Sequence, residues 1–156
     1  LVRSLCRYYE ERNLEDVDRL PRVTSKNVLV LKYYSFENYF LNPEVMARLD
    51  ILPKPEDFYK ILLEKWTEYL HRTRSGRHLI QVLGQNLETE EDIKEHMEEI
   101  KIYIRGHDLY NIFYGPYKKQ ETDLLRKYID LAPGKDFQDI LDAIEKIPFF
   151  ENRKRT

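Results

Sequence analysis

One cysteine, Cys6, is all that this chain of 156 residues carries, which excludes an internal disulfide and any cysteine-based zinc cluster. Because Cys6 lies beside Leu5 and Tyr9 in a helical pattern, it is expected to pack as a small core residue. No apolar run comes near the roughly 20 residues that a membrane-spanning helix needs, and no signal-peptide pattern opens the sequence. A cytoplasmic location is the expectation. Charge of one sign is also missing: 26 basic against 28 acidic residues leave a formal net charge of -2, so any contact with nucleic acid has to come from a local patch. There is neither a repeat at solenoid spacing nor a low-complexity segment.

What the chain does have is 42% apolar and 35% charged residues, a globular and polar composition at a length that fits one domain with its own core. Val28-Leu29-Val30-Leu31, bounded by Ser25-Lys26-Asn27, is a short continuous apolar run of the kind found in a strand covered on both faces. A strand over 27–34 is therefore predicted. One strand cannot satisfy its own backbone groups, so its partner would be a strand not evident in the sequence, an upstream sheet or a second copy of the chain.

Most of the remaining chain has helical periodicity. Val2, Leu5, Cys6 and Tyr9 mark a first helix, and Leu14 to Leu20 a short second one stopped by Pro21. Asn42-Pro43 reads as a cap followed by proline at the first helical position, with Val45, Met46 and Leu49 on the apolar side. Phe58, Ile61, Leu62, Trp66, Tyr69 and Leu70 predict a long amphipathic helix whose stripe includes Lys65, expected to snorkel to the edge. Leu79 to Leu83 form a helix ending near Gly84. Thr89 and Asp92 make a shortened capping box before Ile93, Met97, Ile100 and Ile104. Leu109, Ile112 and Phe113 precede the Gly115-Pro116 stop, Leu124 to Ile129 precede Pro133-Gly134, and Phe137 to Ile147 end at Pro148. The predicted fold class is α+β but mainly helical, one buried strand followed by a bundle of about six helices.

Ser35, Glu37 and Asn38 follow the predicted strand, where α/β proteins place working groups. A carboxylate beside a hydroxyl and a carboxamide suits a hard cation such as Mg2+, although metal chemistry on phosphodiesters usually calls for more acids than one. The competing explanation is that Ser35 or Asn38 caps a helix and Glu37 occupies its first turn.

The segment Leu31-Lys-Tyr-Tyr-Ser-Phe-Glu-Asn-Tyr-Phe-Leu-Asn-Pro-Glu-Val resembles the "strand, then Glu-Asn-Tyr-Leu-Leu-x-Pro" segment of the TOPRIM-like DUF4435 family, relatives of the overcoming-lysogenization-defect nucleases that accompany or are fused to ABC-type ATPases. The resemblance covers about a dozen residues closely and the helical region after them loosely. It implies a TOPRIM fold whose catalytic Glu and Asp-x-Asp pair precede this segment. Asp16 and Asp18 have the spacing but follow a helical pattern, so the acids either precede Leu1 or have been lost; the chain, which starts at Leu1, is expected to be the C-terminal part of a longer protein. Residues 1–41 would then be the remnant of the TOPRIM-like unit and 42–156 a helical region. In the related nucleases a hydroxyl-x-Glu element contributes to a metal site, and Ser35-Phe36-Glu37 matches that order. The resemblance thus implies catalytic roles for Ser35 and Glu37, Glu37 as a metal ligand, and Mg2+ in the intact protein, with no cofactor for this chain alone. The implied partners are its own N-terminal ATPase/TOPRIM region or a separate ATPase subunit, with DNA and a second copy also admitted.

Three further clusters stand out. Around a Ser-Gly breaker, Arg72, Arg74 and Arg77 with His71 and His78 form a basic turn suited to gripping phosphates, joined by Arg153-Lys154-Arg155. The acids Glu90, Glu91, Glu95, Glu98 and Glu99 offer that turn alternative partners within the protein. The dipeptide His107-Asp108 is the core of a metal phosphohydrolase family, with His71, His78, His96 and Asp123 as nominal further ligands, but it is a weak signal and is better explained by a plain helix start after Gly106. Tyr103, Tyr110, Phe113, Tyr114 and Tyr117 suggest a base-stacking platform or, more commonly, rings in the core with hydroxyls at its edge. The functional expectation is a helical accessory region of a nucleic-acid-processing or defence protein, not catalytic in isolation. A protein-binding or dimerisation module is the alternative, and a His-Asp hydrolase the third.

Overall fold

In a computed structural model, residues 30–145 of the chain are described. The two helices predicted before residue 21, Cys6, Asp16, Asp18 and the Arg153-Lys154-Arg155 tail lie outside them. Two compact units divide the chain, one comprising Leu31–Gln138 and the other Leu1–Val30 with Asp139–Thr156. In the second unit the described residues are Val30 and most of one helix, Gln138–Glu145, in which Ile140 is buried and Leu141 exposed.

Leu31–Gln138 is helical, with no strand among the described residues. The predicted strand is therefore corrected: Val28 and Leu29 lie outside the described residues, Val30 is 63% exposed, and residues 32–35 form a series of bends. The reason is visible in the backbone. The Lys32 N–H donates to the Tyr39 hydroxyl at 3.1 Å and the Tyr34 N–H to the carbonyl of Lys101 at 3.0 Å. Donors that a sheet would otherwise have to satisfy are taken up by a ring hydroxyl and a helix end.

A 3₁₀ turn over Phe36–Tyr39 follows, and then α1 (Pro43–Arg48), where the Asn42 side chain accepts from the Glu44 N–H at 3.1 Å. The long amphipathic helix is α2 (Asp57–Glu68), burying Phe58, Leu62 and Trp66. Lys65 on its stripe does reach out, pairing with Glu68 at 2.6 Å. After a 3₁₀ turn, Leu70–Arg72, Thr73 caps α3 (Arg74–Leu83), which Gly84 ends in the left-handed conformation at φ 71°. The periodic stretch after Thr89 is broken at His96 into α4 (Glu90–Glu95) and α5 (Met97–Tyr103). The capping box at α4 is complete, with Asp92 Oδ2 accepting the Thr89 N–H at 2.8 Å and the Thr89 hydroxyl accepting the Asp92 N–H at 3.1 Å. Gly106 opens α6 (Gly106–Tyr114), and the Gly115-Pro116 stop becomes a 3₁₀ segment, Gly115–Gln120, leading into α7 (Glu121–Leu131).

The core of Leu31–Gln138 joins these elements through rings. Phe58 of α2 stacks on Phe113 of α6 at 4.7 Å, and Phe40 meets Tyr128 of α7 edge-on at 5.1 Å. Each such buried aromatic side chain contributes about 1.5–3 kcal/mol by leaving water. Two tyrosines tie the residues before α1 to distant helices: Tyr114 donates to the Phe40 carbonyl at 2.5 Å, and the Tyr128 hydroxyl accepts the Asn42 N–H at 2.8 Å. Burial pushes both phenols well above their ordinary pKa.

Candidate functional site

The segment over 35–42 is the hub onto which α5, α6 and α7 converge. Asn38 is fully buried, and its Nδ2 donates to the carbonyls of Lys101 at 2.7 Å and Ile104 at 3.0 Å, closing the C-terminal end of α5. Those carbonyls have no partner inside their own helix, so Asn38 supplies one from 63 and 66 residues away in the sequence. The carboxamide expected beside a cation is thus a helix clamp.

Ser35 and Glu37 are brought against the start of α6. A Cβ on Gly106 would overlap the Ser35 hydroxyl and come within 2.9 Å of Glu37 Oε2, so only a glycine lets these side chains sit so close to the helix end. A carboxylate there complements the positive end of the helix. Glu37 lies in the first turn of its own 3₁₀ segment, as the structural alternative required, although Ser35 precedes that turn without a side-chain capping bond, and its carboxylate also lies against the start of a helix about 70 residues downstream. The Ser35 Oγ is buried with no hydrogen-bond partner.

One turn into α6, on the same side, lies Tyr110, which is 7% exposed. Burial raises its pKa, helped by the negative charges of Glu121 and then Glu37. The hydroxyl interacts with Glu121, although not in the geometry of a good hydrogen bond. Tyr110 was noted in the sequence only as one of the platform or core rings, and Glu121 was not singled out. The signal for Tyr110 was present in the four-residue spacing from Gly106, whereas nothing local marks Glu121, the first residue of α7.

His107 and Asp108 do not form a centre. His107 is exposed beside Asn111, with Nε2 and Nδ2 2.9 Å apart, while Asp108 faces Tyr69 and raises its pKa after burial has done so. The nominal histidine ligands have other neighbours: His71 Nδ1 lies 2.7 Å from the Trp66 carbonyl, His78 packs on the Tyr103 ring at 5.6 Å, and His96 neighbours Gln85 and Glu99. Among the described residues no group of three or more His, Cys, Asp and Glu side chains is gathered in a way that could hold a metal ion. The aromatic platform is divided as well. Tyr110, Phe113 and Tyr114 are core residues and Tyr110 stacks on Tyr114 at 4.3 Å, while Tyr117 is directed to the Asp50 carbonyl.

Arg72, Arg74 and Arg77 are exposed around the predicted turn, which is a 3₁₀ turn followed at once by the first turn of α3. Gly76 makes this possible. A Cβ there would overlap the Leu70 carbonyl oxygen, so the helix start and the preceding turn touch backbone to backbone. The Thr73 hydroxyl bridges them, donating to the Leu70 carbonyl at 2.7 Å and accepting the Gly76 N–H at 3.0 Å. Arg72 is held by a hydrogen bond to the Glu68 carbonyl at 2.5 Å. The acids proposed as alternative partners are partly committed, since Glu98 pairs with Lys32 at 2.7 Å and with Lys101 at 3.2 Å. Burial works to raise the Glu98 pKa, but those two lysines outweigh it and hold the carboxyl below its ordinary value.

Among the described residues no helix is long and apolar enough to cross a membrane. No family model, curated protein or solved structure matches this chain.

Proposed function

We propose that this chain is the non-catalytic helical part of a TOPRIM/DUF4435-like protein that works with an ABC-type ATPase in nucleic-acid processing or defence. The observation that carries the non-catalytic reading is the placement of Glu37. Its carboxylate lies against the start of α6 beside a buried serine hydroxyl, in a position where it stabilises the helix end and where the positive dipole disfavours a cation. The residues that resemble the family most closely, 31–45, are also the residues onto which the helices pack, so the resembling segment serves as the scaffold of the unit. Any Mg2+ chemistry would then require acids contributed by another part of the protein or by a partner.

The test is a plasmid-nicking assay with Mg2+ or Mn2+ on the purified chain. No metal-dependent cutting is expected from either the unaltered chain or Glu37→Gln, and Glu37→Gln should unfold at lower denaturant. Clear cutting by the unaltered chain that Glu37→Gln abolishes while remaining folded would overturn the proposal. For the association, purification from the native source at low salt should bring down an ABC-type ATPase, in the same polypeptide or a separate one; recovery without any ATPase would count against it.

A further inference from the structure

Residues 32–34 cross to α5 as a strap, and one carboxylate gathers the charged groups that fasten it. Glu98, in the first turn of α5, takes the Lys32 ammonium at 2.7 Å, the Lys101 ammonium at 3.2 Å and the Tyr33 hydroxyl at 3.1 Å. Both ammonium groups also stand over the Tyr33 ring, 5.2 and 4.9 Å from its centre. Tyr33 in turn lies 4.6 Å from the buried ring of Tyr39, whose hydroxyl accepts the Lys32 N–H.

The strap and the hub beneath it are fastened by different means. Lys32 and Glu98 are both half-exposed, and ion pairs in that setting are weak and open to screening by salt. The hub is held by buried rings and by Asn38. Of the two backbone donors that the strap contributes, the Tyr34 N–H goes to the Lys101 carbonyl at 3.0 Å, and that carbonyl also accepts from Asn38 Nδ2 at 2.7 Å. If the strap leaves, the end of α5 therefore keeps a partner, and the freed N–H groups of Lys32 and Tyr34 pass to water.

We propose that Lys32, Glu98 and Lys101 form a charge-operated latch, which holds the strap closed over Tyr39 while Glu98 is ionised and lets it open, with the hub still folded, when that charge is removed or screened. The groups that face the carboxylate are Lys32 and Tyr33 from the strap and Lys101 from its own helix. Because the lysines hold the Glu98 carboxyl below its ordinary value, the latch is fully closed above that value and opens as pH falls through the lower, folded-state one. The device does not depend on the proposed function, and its test reads backbone protection alone.

Amide hydrogen exchange of the whole chain, followed by NMR, is the experiment. Glu98→Gln should speed exchange of the Tyr34 and Lys32 amides about 5-fold, the scale of an exposed ion pair, while the amides of Phe113 and Tyr114 in α6 keep their protection. Lys32→Ala should act in the same direction, and adding it to Glu98→Gln should bring little further change, since both break one pair. Raising salt to about 1 M should lower Tyr34 protection in the unaltered chain and not in Glu98→Gln. Glu95→Gln, an exposed acid one turn earlier, should leave every rate as it was. An unchanged Tyr34 amide in Glu98→Gln, an equal loss of protection in α6, an equal effect of Glu95→Gln, or full additivity of the Lys32 and Glu98 variants would overturn the proposal.

Discussion

Gly76→Ala is the substitution that probes the unit most sharply, because helix propensity and packing predict opposite outcomes. Gly76 lies in the first turn of α3, where alanine would ordinarily gain up to about 1 kcal/mol. Its added methyl, however, would overlap the Leu70 carbonyl oxygen and stand 2.8 Å from the carbonyl carbon, and backbone cannot rotate away as a side chain can. Separating the two segments strains the hydrogen bonds that the Leu70 carbonyl accepts from the Thr73 hydroxyl at 2.7 Å and the Thr73 N–H at 3.1 Å, and the cap that Thr73 provides to Gly76. Each is worth about 1 kcal/mol, and forced overpacking adds about 1–3 kcal/mol. After the propensity gain, a net loss of about 3 kcal/mol is expected, which for a chain of this size is a fall in Tm of about 10 °C. Two other glycines serve as internal controls. Gly84 has open space around it but a φ of 71°, so alanine there should cost about 1 kcal/mol from backbone strain alone. Gly115 has open space and a helical φ of -51°, so alanine there should be neutral or stabilising by about 0.5 kcal/mol. Urea unfolding of the three variants, followed by circular dichroism, gives the order. A Gly76→Ala variant as stable as Gly115→Ala would refute the close approach of turn and helix.

Asn38→Ala should cost about 2–3 kcal/mol in the same assay, since it removes two hydrogen bonds and leaves a void at a fully buried site; a loss below about 1 kcal/mol would show that Asn38 does not close α5. Asp92 predicts a pH dependence. Hydrogen bonds from the backbone N–H groups of Glu88 and Thr89 hold its carboxyl below its ordinary pKa, so its stabilisation is present above the unfolded-state value and is lost as pH falls through the lower folded-state value. Asp92→Asn should therefore lower Tm at pH 7 and narrow the gap to the unaltered protein on acidification below about pH 4; a gap independent of pH would sink the assignment.

The caps were legible because they are local. Asn42-Pro43, Thr89 with Asp92, and Gly84 each carry their chemistry within a few residues, and each forms the predicted helix boundary. The break at His96 was not legible, because Ile93, Ile100 and Ile104 keep helical spacing across it and all are buried. The strand prediction failed for a different physical reason. An apolar run specifies burial but not the partner for its backbone, and the partners at Lys32 and Tyr34 are a tyrosine hydroxyl and a carbonyl at the far end of α5. The site was legible in part. Ser35, Glu37 and Gly106 were each noticed, but only folding places them together.

That pattern bears on how a lone acid should be read. A carboxylate after an apolar run invites assignment to a metal because its charge needs a partner, but a helix end meets the same need without an ion. Glu37 has that alternative because residue 106 is glycine: any larger residue would push Ser35 and the carboxylate away from the start of α6. The two demands compete, since a cation drawn to Glu37 would meet the positive end of the helix at the same place. For a metal to win, further carboxylates would have to outweigh the dipole, and the nearby Glu121 is itself in the first turn of a helix, where its charge is already favourable. Glu37 is thus more valuable to this unit as an anion fixed at a helix end than as a ligand.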